Sequence, residues 1–276
     1  MNYGSRDAFR RCWPILPPTS FAGVPRANLL GVGVHAITLE EAVALSSRFL
    51  QSGAQGYVCL TGVHGVMEAQ RDPHLRHILN DAVLCLPDGM PTVWVGRAQG
   101  ERGMSRVYGP DFMLAMCRSL GGRGCRHFLY GGKPGVVEML QGKLQQQLPS
   151  LHIVGMYTPP FEELSEAQES QLRARIAESK PDILWVGLST PKQERFMASH
   201  LGKLEVRLMA GVGAAFDIHA GLVSDAPDWV KTCGLQWLDR LRKEPRRLAP
   251  RYFRNNPAFL WEMALQAAGV RRFGVE

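Results

Sequence analysis

Ile183-Leu-Trp-Val-Gly187, then Leu188-Ser-Thr-Pro-Lys-Gln-Glu-Arg-Phe-Met-Ala-Ser-His200, then Val206-Arg-Leu-Met-Ala210 is the stretch that decides the fold. The first and last pieces are short runs of mostly apolar residues without polar alternation, as expected of strands buried on both faces. Between them, Pro191–His200 reads as a helix. Strands alternating with helices make a mostly parallel sheet covered on both faces.

The same alternation extends toward the N-terminus. Leu29–Val34 reads as a strand, and Thr38-Leu-Glu-Glu41 is a capping box that opens a helix to about Ser52. Tyr57–Leu60 and Val83–Leu86 read as strands, with helical pieces at His64–Gln70, His74–Asn80 and Thr92–Gln99. Asp111–Leu120 (helix), His127–Tyr130 (strand), a helix to about Gln147, His152–Met156 (strand) and Ser165–Ser179 (helix) complete the series. The expected fold is α/β, a Rossmann-like, mostly parallel sheet with helices on both faces. It divides into a proline-rich extension over residues 1–27, a catalytic core over 28–225 and a basic helical C-terminal appendage over 226–276.

Composition agrees with this. The 276 residues are 45% hydrophobic and 21% charged, as in a globular domain, and the net charge of +7 suggests an anionic partner. No apolar run approaches the ~18–20 residues of a membrane span. The six cysteines are scattered without a Cys-x-x-Cys pair and read as reduced, structural thiols. No Asp-x-Asp occurs, so no metal site is expected. The His74/His77 pair reads as surface histidines.

Much of the positive charge lies late in the chain. Arg240, Arg242, Lys243, Arg246, Arg247, Arg251 and Arg254 face a single acid, Glu244, and Trp237, Tyr252 and Phe253 are interleaved with them. Such a segment suits an anionic surface, a phosphate-bearing ligand, or both. Arg240 and Arg247 are seven residues apart and are expected on one helix face, with Arg251 one turn further; planar guanidinium groups bind phosphate oxygens bidentately.

In parallel sheets ligands bind outside the carboxyl ends of the strands. The residues directly after the strands include Thr61, Asp88-Gly89, Gly131-Gly132, Ser189–Glu194 and Gly211-Val-Gly213-Ala-Ala-Phe-Asp217. Asp88 follows an apolar strand and is expected to project into the crevice, where desolvation could raise its pKa and equip it as a general base; a helix-capping role is the simpler reading. Gly31-Val-Gly33-Val-His-Ala36 formally fits a dinucleotide fingerprint, but Leu50-Gln51-Ser52-Gly53 stands where the ribose-binding acid belongs. A Walker loop is absent. A nucleic-acid-binding module explains the basic tail but not the polar residues ordered at successive strand ends.

Pro87-Asp-Gly89, Arg106-Val-Tyr-Gly-Pro-Asp111, Tyr130-Gly-Gly-Lys-Pro-Gly135, Val186–Glu194, Gly211–Asp217, Ala226-Pro-Asp-Trp229 and Gly234–Arg247 occur in this order, and together they resemble the WecG/TagA/CpsF family, glycosyltransferase family 26. The resemblance covers about residues 29–254. It implies an inverting, metal-independent transferase without a cofactor, which moves a sugar from a UDP donor to a polyprenyl-diphosphate-linked glycan. The partners implied are that donor, that acceptor and the anionic inner face of the cell membrane, with peripheral attachment in the cytoplasm and no nucleic acid. A homo-oligomer is left open.

By the same resemblance the base falls on Asp88, and substrate contacts on Thr61, Arg106 and Gln193. The glycine-rich loop contributes Gly211, Gly213 and Asp217, and Arg240, Arg247 and Arg251 hold the diphosphate. The family often has Thr-x-Asn after the second strand; here Thr61-Gly-Val-His64 stands there, so His64 joins the substrate-binding residues. Pro250 replaces the first of a frequent Arg-Arg pair. With Met90-Pro91 after Asp88-Gly89, these departures resemble the exopolysaccharide branch, similar to the xanthan β-1,4-glucosyltransferase; the alternative is the N-acetylmannosaminyl branch.

Overall fold

A computed structural model describes residue 21 and residues 23–275, apart from the side chains of Asp228, Thr232 and Arg247. Most of the extension assigned to residues 1–27 therefore lies outside the described residues.

The chain opens with β1 (Arg26–Leu29) and β2 (Val32–His35), which pair antiparallel as a separate two-stranded sheet. This corrects the single strand expected over Leu29–Val34. Leu30 and Gly31 take φ of +54° and +85°, as a two-residue hairpin with both central residues left-handed requires. The Asn28 carboxamide accepts the Gly31 N–H at 2.8 Å. Gly31 and Gly33 thus belong to a hairpin and not to a strand–helix turn, and the dinucleotide reading has no structural basis here.

Helix α1 (Leu39–Gln51) starts at the expected box: Thr38 Oγ1 accepts the Glu41 N–H at 3.2 Å and Glu41 Oε2 accepts the Thr38 N–H at 2.8 Å. Then follow β3 (Gly56–Thr61), α2 (Val63–Arg71), α3 (Pro73–Asn80), β4 (Leu84–Pro87), α4 (Met90–Ala98), α5 (Gly109–Leu120), β5 (Arg126–Gly131), α6 (Val136–Gln147), β6 (His152–Tyr157), α7 (Glu166–Ser179), β7 (Ile183–Gly187), α8 (Lys192–His200), β8 (Leu208–Gly211) and the short α9 (Ala215–His219). Three C-terminal helices complete the chain: α10 (Asp228–Thr232), α11 (Gln236–Lys243) and α12 (Pro245–Ala267).

The main sheet has six strands in the order β4-β3-β8-β7-β5-β6, every pair parallel. Alternate residues of each strand feed two cores. Val58, Leu60, Leu84, Leu86, Trp185 and Ala210 face α1, α5, α6 and α9. Tyr57, Cys59, Cys85, Leu184, Val186 and Met209 face the hairpin, α2, α3, α7, α8 and Phe259 of α12. Fully buried side chains such as Trp185, Phe112 and Phe128 each contribute about 2–3 kcal/mol of hydrophobic stabilisation.

This division fixes where a ligand can bind. The helix after β3 covers one face, through Val66, Met67 and Ala69. The helix after the neighbouring β8 covers the other, through Ala215 and Phe216. Adjacent strands whose connections leave in opposite directions open a crevice at their carboxyl ends. Thr61 and Gly211 stand at those ends.

Among the described residues no strand follows residue 227. The last helix is nonetheless bound into the core: Gln266 Oε1 accepts the Leu30 N–H at 3.0 Å, and Asn255 Oδ1 accepts from Arg71 Nη2 at 2.8 Å. Among the described residues no helix is long and apolar enough to cross a membrane.

Candidate active site

Asp88 directly follows β4. Its N–H donates to the Thr61 carbonyl at 3.0 Å, prolonging the β3–β4 ladder by one residue. The approach is so close that a Cβ on Gly62 would lie 2.5 Å from the Asp88 carbonyl oxygen; only glycine lets the two loops meet there. The residue as a whole is partly exposed, but its carboxyl is buried. Burial pushes its pKa up, Asp111 adds to the rise, and the guanidinium groups of Arg106 and Arg240 oppose it. A carboxyl whose pKa is raised in this way is a stronger base than one in water.

Arg106 lies over the Tyr108 ring, 4.7 Å from its centroid, with Asp111 Oδ2 3.8 Å from Nη2. Its Nη1 donates to Gln236 Oε1 at the start of α11. Burial also raises the Asp111 carboxyl, against the pull of Lys231 and Arg106.

Across the crevice Thr61 and Gln193 are buried. The Cys85 thiol donates to Thr61 Oγ1 at 3.4 Å. Gln193 Nε2 donates to Glu194 Oε1 at 3.0 Å and to the carbonyl of Gly211 at 3.4 Å. The Thr190 hydroxyl gives Glu194 Oε1 a second hydrogen bond at 2.9 Å. Gln193 Oε1 and Glu194 Oε2 are buried without a protein partner, and an unsatisfied buried polar atom at a crevice is a place for a ligand group. Burial raises the Glu194 carboxyl, with Gln193 and Thr190 opposing. The sequence places Glu194 in the strand-end stretch Ser189–Glu194 but assigns it no role, because a glutamate beside an amide on a helix reads as a solvated side chain.

Gly213 lies in the turn after β8, and Asp217, half-buried, in the first turn of α9. Both are at the carboxyl end of the sheet. No described contact links the Asp217 carboxyl to Asp88.

The C-terminal arginines are arranged differently from expectation. Glu244 takes φ −133° and ψ 58° between α11 and α12, because the residue before a proline is pushed out of the helical region and Pro245 follows. Arg240 and Arg247 are therefore on two helices and do not share a face. The Arg247 side chain lies outside the described residues. Arg240 and Arg251 remain near neighbours. The Arg251 pKa is lowered by burial and by Arg240, against Tyr252 and Glu68. Arg240 acts on Asp88 as well. Arg240 is thus in electrostatic range of both Arg251 and Asp88, and neighbouring guanidinium groups suit a polyanion such as a diphosphate.

His64 belongs to this side of the crevice. Its Nδ1 accepts from Asn255 Nδ2 at 3.0 Å and lies 3.7 Å from Glu68. Its pKa is lowered to about 4, first by burial and then by the charge of Arg251, so the ring is neutral at physiological pH. The structure thus gathers Asp88, Arg106 and Arg240 in one group and Arg240, Arg251 and His64 in an adjoining one, with Thr61, Gln193 and Gly211 at the neighbouring strand ends. Among the described residues no three His, Cys, Asp or Glu come together to hold a metal ion. The described cysteines are unpaired thiols.

A model of the glycosyl transferase WecG/TagA/CpsF family matches residues 27–272. The N-acetylglucosaminyldiphosphoundecaprenol N-acetyl-beta-D-mannosaminyltransferase of Bacillus subtilis (strain 168) is 30% identical over 180 residues, which cover 65% of this chain and 68% of the relative. With the family model spanning residues 27–272, the chain belongs to the WecG/TagA/CpsF family of glycosyltransferases.

Proposed function

We propose that the chain transfers N-acetylmannosamine from a UDP donor to an N-acetylglucosaminyl residue on a polyprenyl diphosphate. The activity named for the Bacillus subtilis relative supports this mannosaminyl reading over the glucosyl, exopolysaccharide one that the Asp88-Gly89-Met90-Pro91 and Pro250 departures suggest. The observation that carries the reading is a buried carboxyl, Asp88, at the carboxyl end of the sheet and under the electrostatic pull of both Arg106 and Arg240.

In the proposed step Asp88 takes the proton of the acceptor hydroxyl as its oxygen bonds to the anomeric carbon. The bond from that carbon to the UDP oxygen breaks, and its electron pair leaves on the diphosphate. Attack opposite the leaving group turns an α-linked donor into a β product. Arg240 and Arg251, with Arg247 assigned by family resemblance, meet the growing negative charge. Fixed cations at a developing charge need no reorganisation during reaction. No metal or cofactor enters this scheme. Thr61, His64, Gln193 and the Gly211–Asp217 loop supply the remaining substrate contacts.

The test is product mass and linkage from a panel of UDP-sugars with lipid-diphosphate-linked acceptors. Transfer of one N-acetylhexosamine from UDP-N-acetylmannosamine is expected. Transfer from UDP-glucose alone would restore the glucosyl reading.

Peripheral docking at the membrane has its own support. Trp229, Leu235, Trp237 and Leu238 of the α10–α11 region are exposed, and a groove of about 500 Å³ runs between Trp229, Leu238 and Arg242. Apolar and cationic side chains together suit an anionic bilayer surface. Flotation with phosphatidylglycerol vesicles is expected for the full chain and lost on replacing Trp229, Leu235 and Leu238 by serine; flotation unchanged by these replacements would sink the docking reading.

A further inference from the structure

Behind Arg106, residues distant in sequence form one chain of contacts. The Gln236 carboxamide accepts from Arg106 Nη1 through Oε1. Through Nε2 it donates to Asp225 Oδ1 at 3.2 Å. That same oxygen accepts the Ala226 N–H at 2.8 Å and the Tyr108 hydroxyl at 3.4 Å. The other oxygen of Asp225 pairs with Lys231 Nζ of α10 at 2.6 Å.

Each link constrains the next. A carboxamide presents an acceptor on one side and donors on the other. If the Gln236 amide were turned over, its NH₂ would face a guanidinium and its oxygen a carboxylate, both repulsive. Asp225 therefore sets which way Gln236 faces, and Gln236 sets the in-plane position of Arg106. Among the described residues, the core contacts Arg106 through the flat Tyr108 ring and, at 3.8 Å, Asp111. The acceptor that fixes its direction comes from α11.

We propose that Gln236 and Asp225 are positioning residues that hold Arg106 beside Asp88, so that Arg106 takes its working position only when the α10–α11 segment is docked on the core. Neither residue touches substrate in this scheme. The inference rests on the reading above, in which Arg106 serves the reaction. Its consequence is a coupling: the helices that carry the diphosphate-binding arginine Arg240 also complete the core's own arginine, and the site is assembled as one unit.

A double-mutant cycle separates this from a merely structural role. Gln236→Met keeps the side chain's shape and removes the acceptor. It is expected to lower kcat/KM about tenfold or more in the wild-type background, with an unchanged melting temperature, and less than about twofold in an Arg106→Met background. An equal loss in both backgrounds, or none in the first, overturns the inference. An Arg106→Met enzyme as active as wild type overturns the reading it rests on, which is a different result from either of these. A crystal structure of Gln236→Met gives a second readout that does not need turnover. The guanidinium is expected to leave its place over Tyr108 and close on Asp111; an unmoved Arg106 contradicts the proposal.

Discussion

Asp88→Asn is expected to lower kcat by a factor of about 10³, within the range of 10² to 10⁴ that a positioned general base contributes. Asparagine keeps the size of the side chain and the N–H donated to the Thr61 carbonyl, so the fold and the approach of Gly62 remain. What disappears is the site that receives the acceptor proton. Burial disfavours the charged carboxylate, so the neutral side chain is expected to leave the melting temperature unchanged or raise it. Donor affinity should change little, because the arginines that meet the diphosphate are intact. Turnover within a few-fold of wild type, in a normally folded protein, would remove Asp88 from the role of base.

Arg240→Met is expected to cost about 10²-fold in kcat, comparable to losing one preorganised donor at a developing anion. It also carries a second, signed effect. A base must be ionised, so activity falls as pH drops through the Asp88 pKa. Burial already holds that pKa above the ordinary carboxylate value, and Arg240 is one of the two cations holding it down. Removing Arg240 raises it further, and the acid limb of the kcat/KM profile should move to higher pH. A loss of rate with an unmoved acid limb would separate Arg240 from Asp88. Arg251→Met should lower the rate without the same displacement, since Asp88 is shifted by Arg106 and Arg240 but not by Arg251.

The parts of this molecule legible in its sequence are those set by local rules. Ile183–Gly187 is apolar throughout and is a central strand with the bounds its composition implies. The box at Thr38 opens a helix where it stands, and the helix expected from Ser165 starts there as well. Strand-end placement put Asp88, Thr61, Gln193 and Gly211 at one edge of the sheet. The errors were also local. The hairpin at Arg26–His35 was hidden because Leu30 adopts a left-handed turn conformation rare for its type. The basic tail reads as one continuous helix face, yet Pro245 forces a break after Lys243. What the sequence could not convey is contact across long separations. Gln236 meets Arg106 from 130 residues away, and Glu194 becomes a buried acid only because β3, β7 and β8 close around it. No periodicity encodes either fact.

Binding of the donor product is the most direct measurement. In a crystal structure with UDP, the diphosphate oxygens are expected within hydrogen-bond distance of Arg240 and Arg251, about 3 Å, with the terminal phosphate facing the Asp88 carboxyl across space for a sugar. A diphosphate held elsewhere on the molecule, out of reach of both arginines, would contradict the assignment of this crevice as the site of transfer.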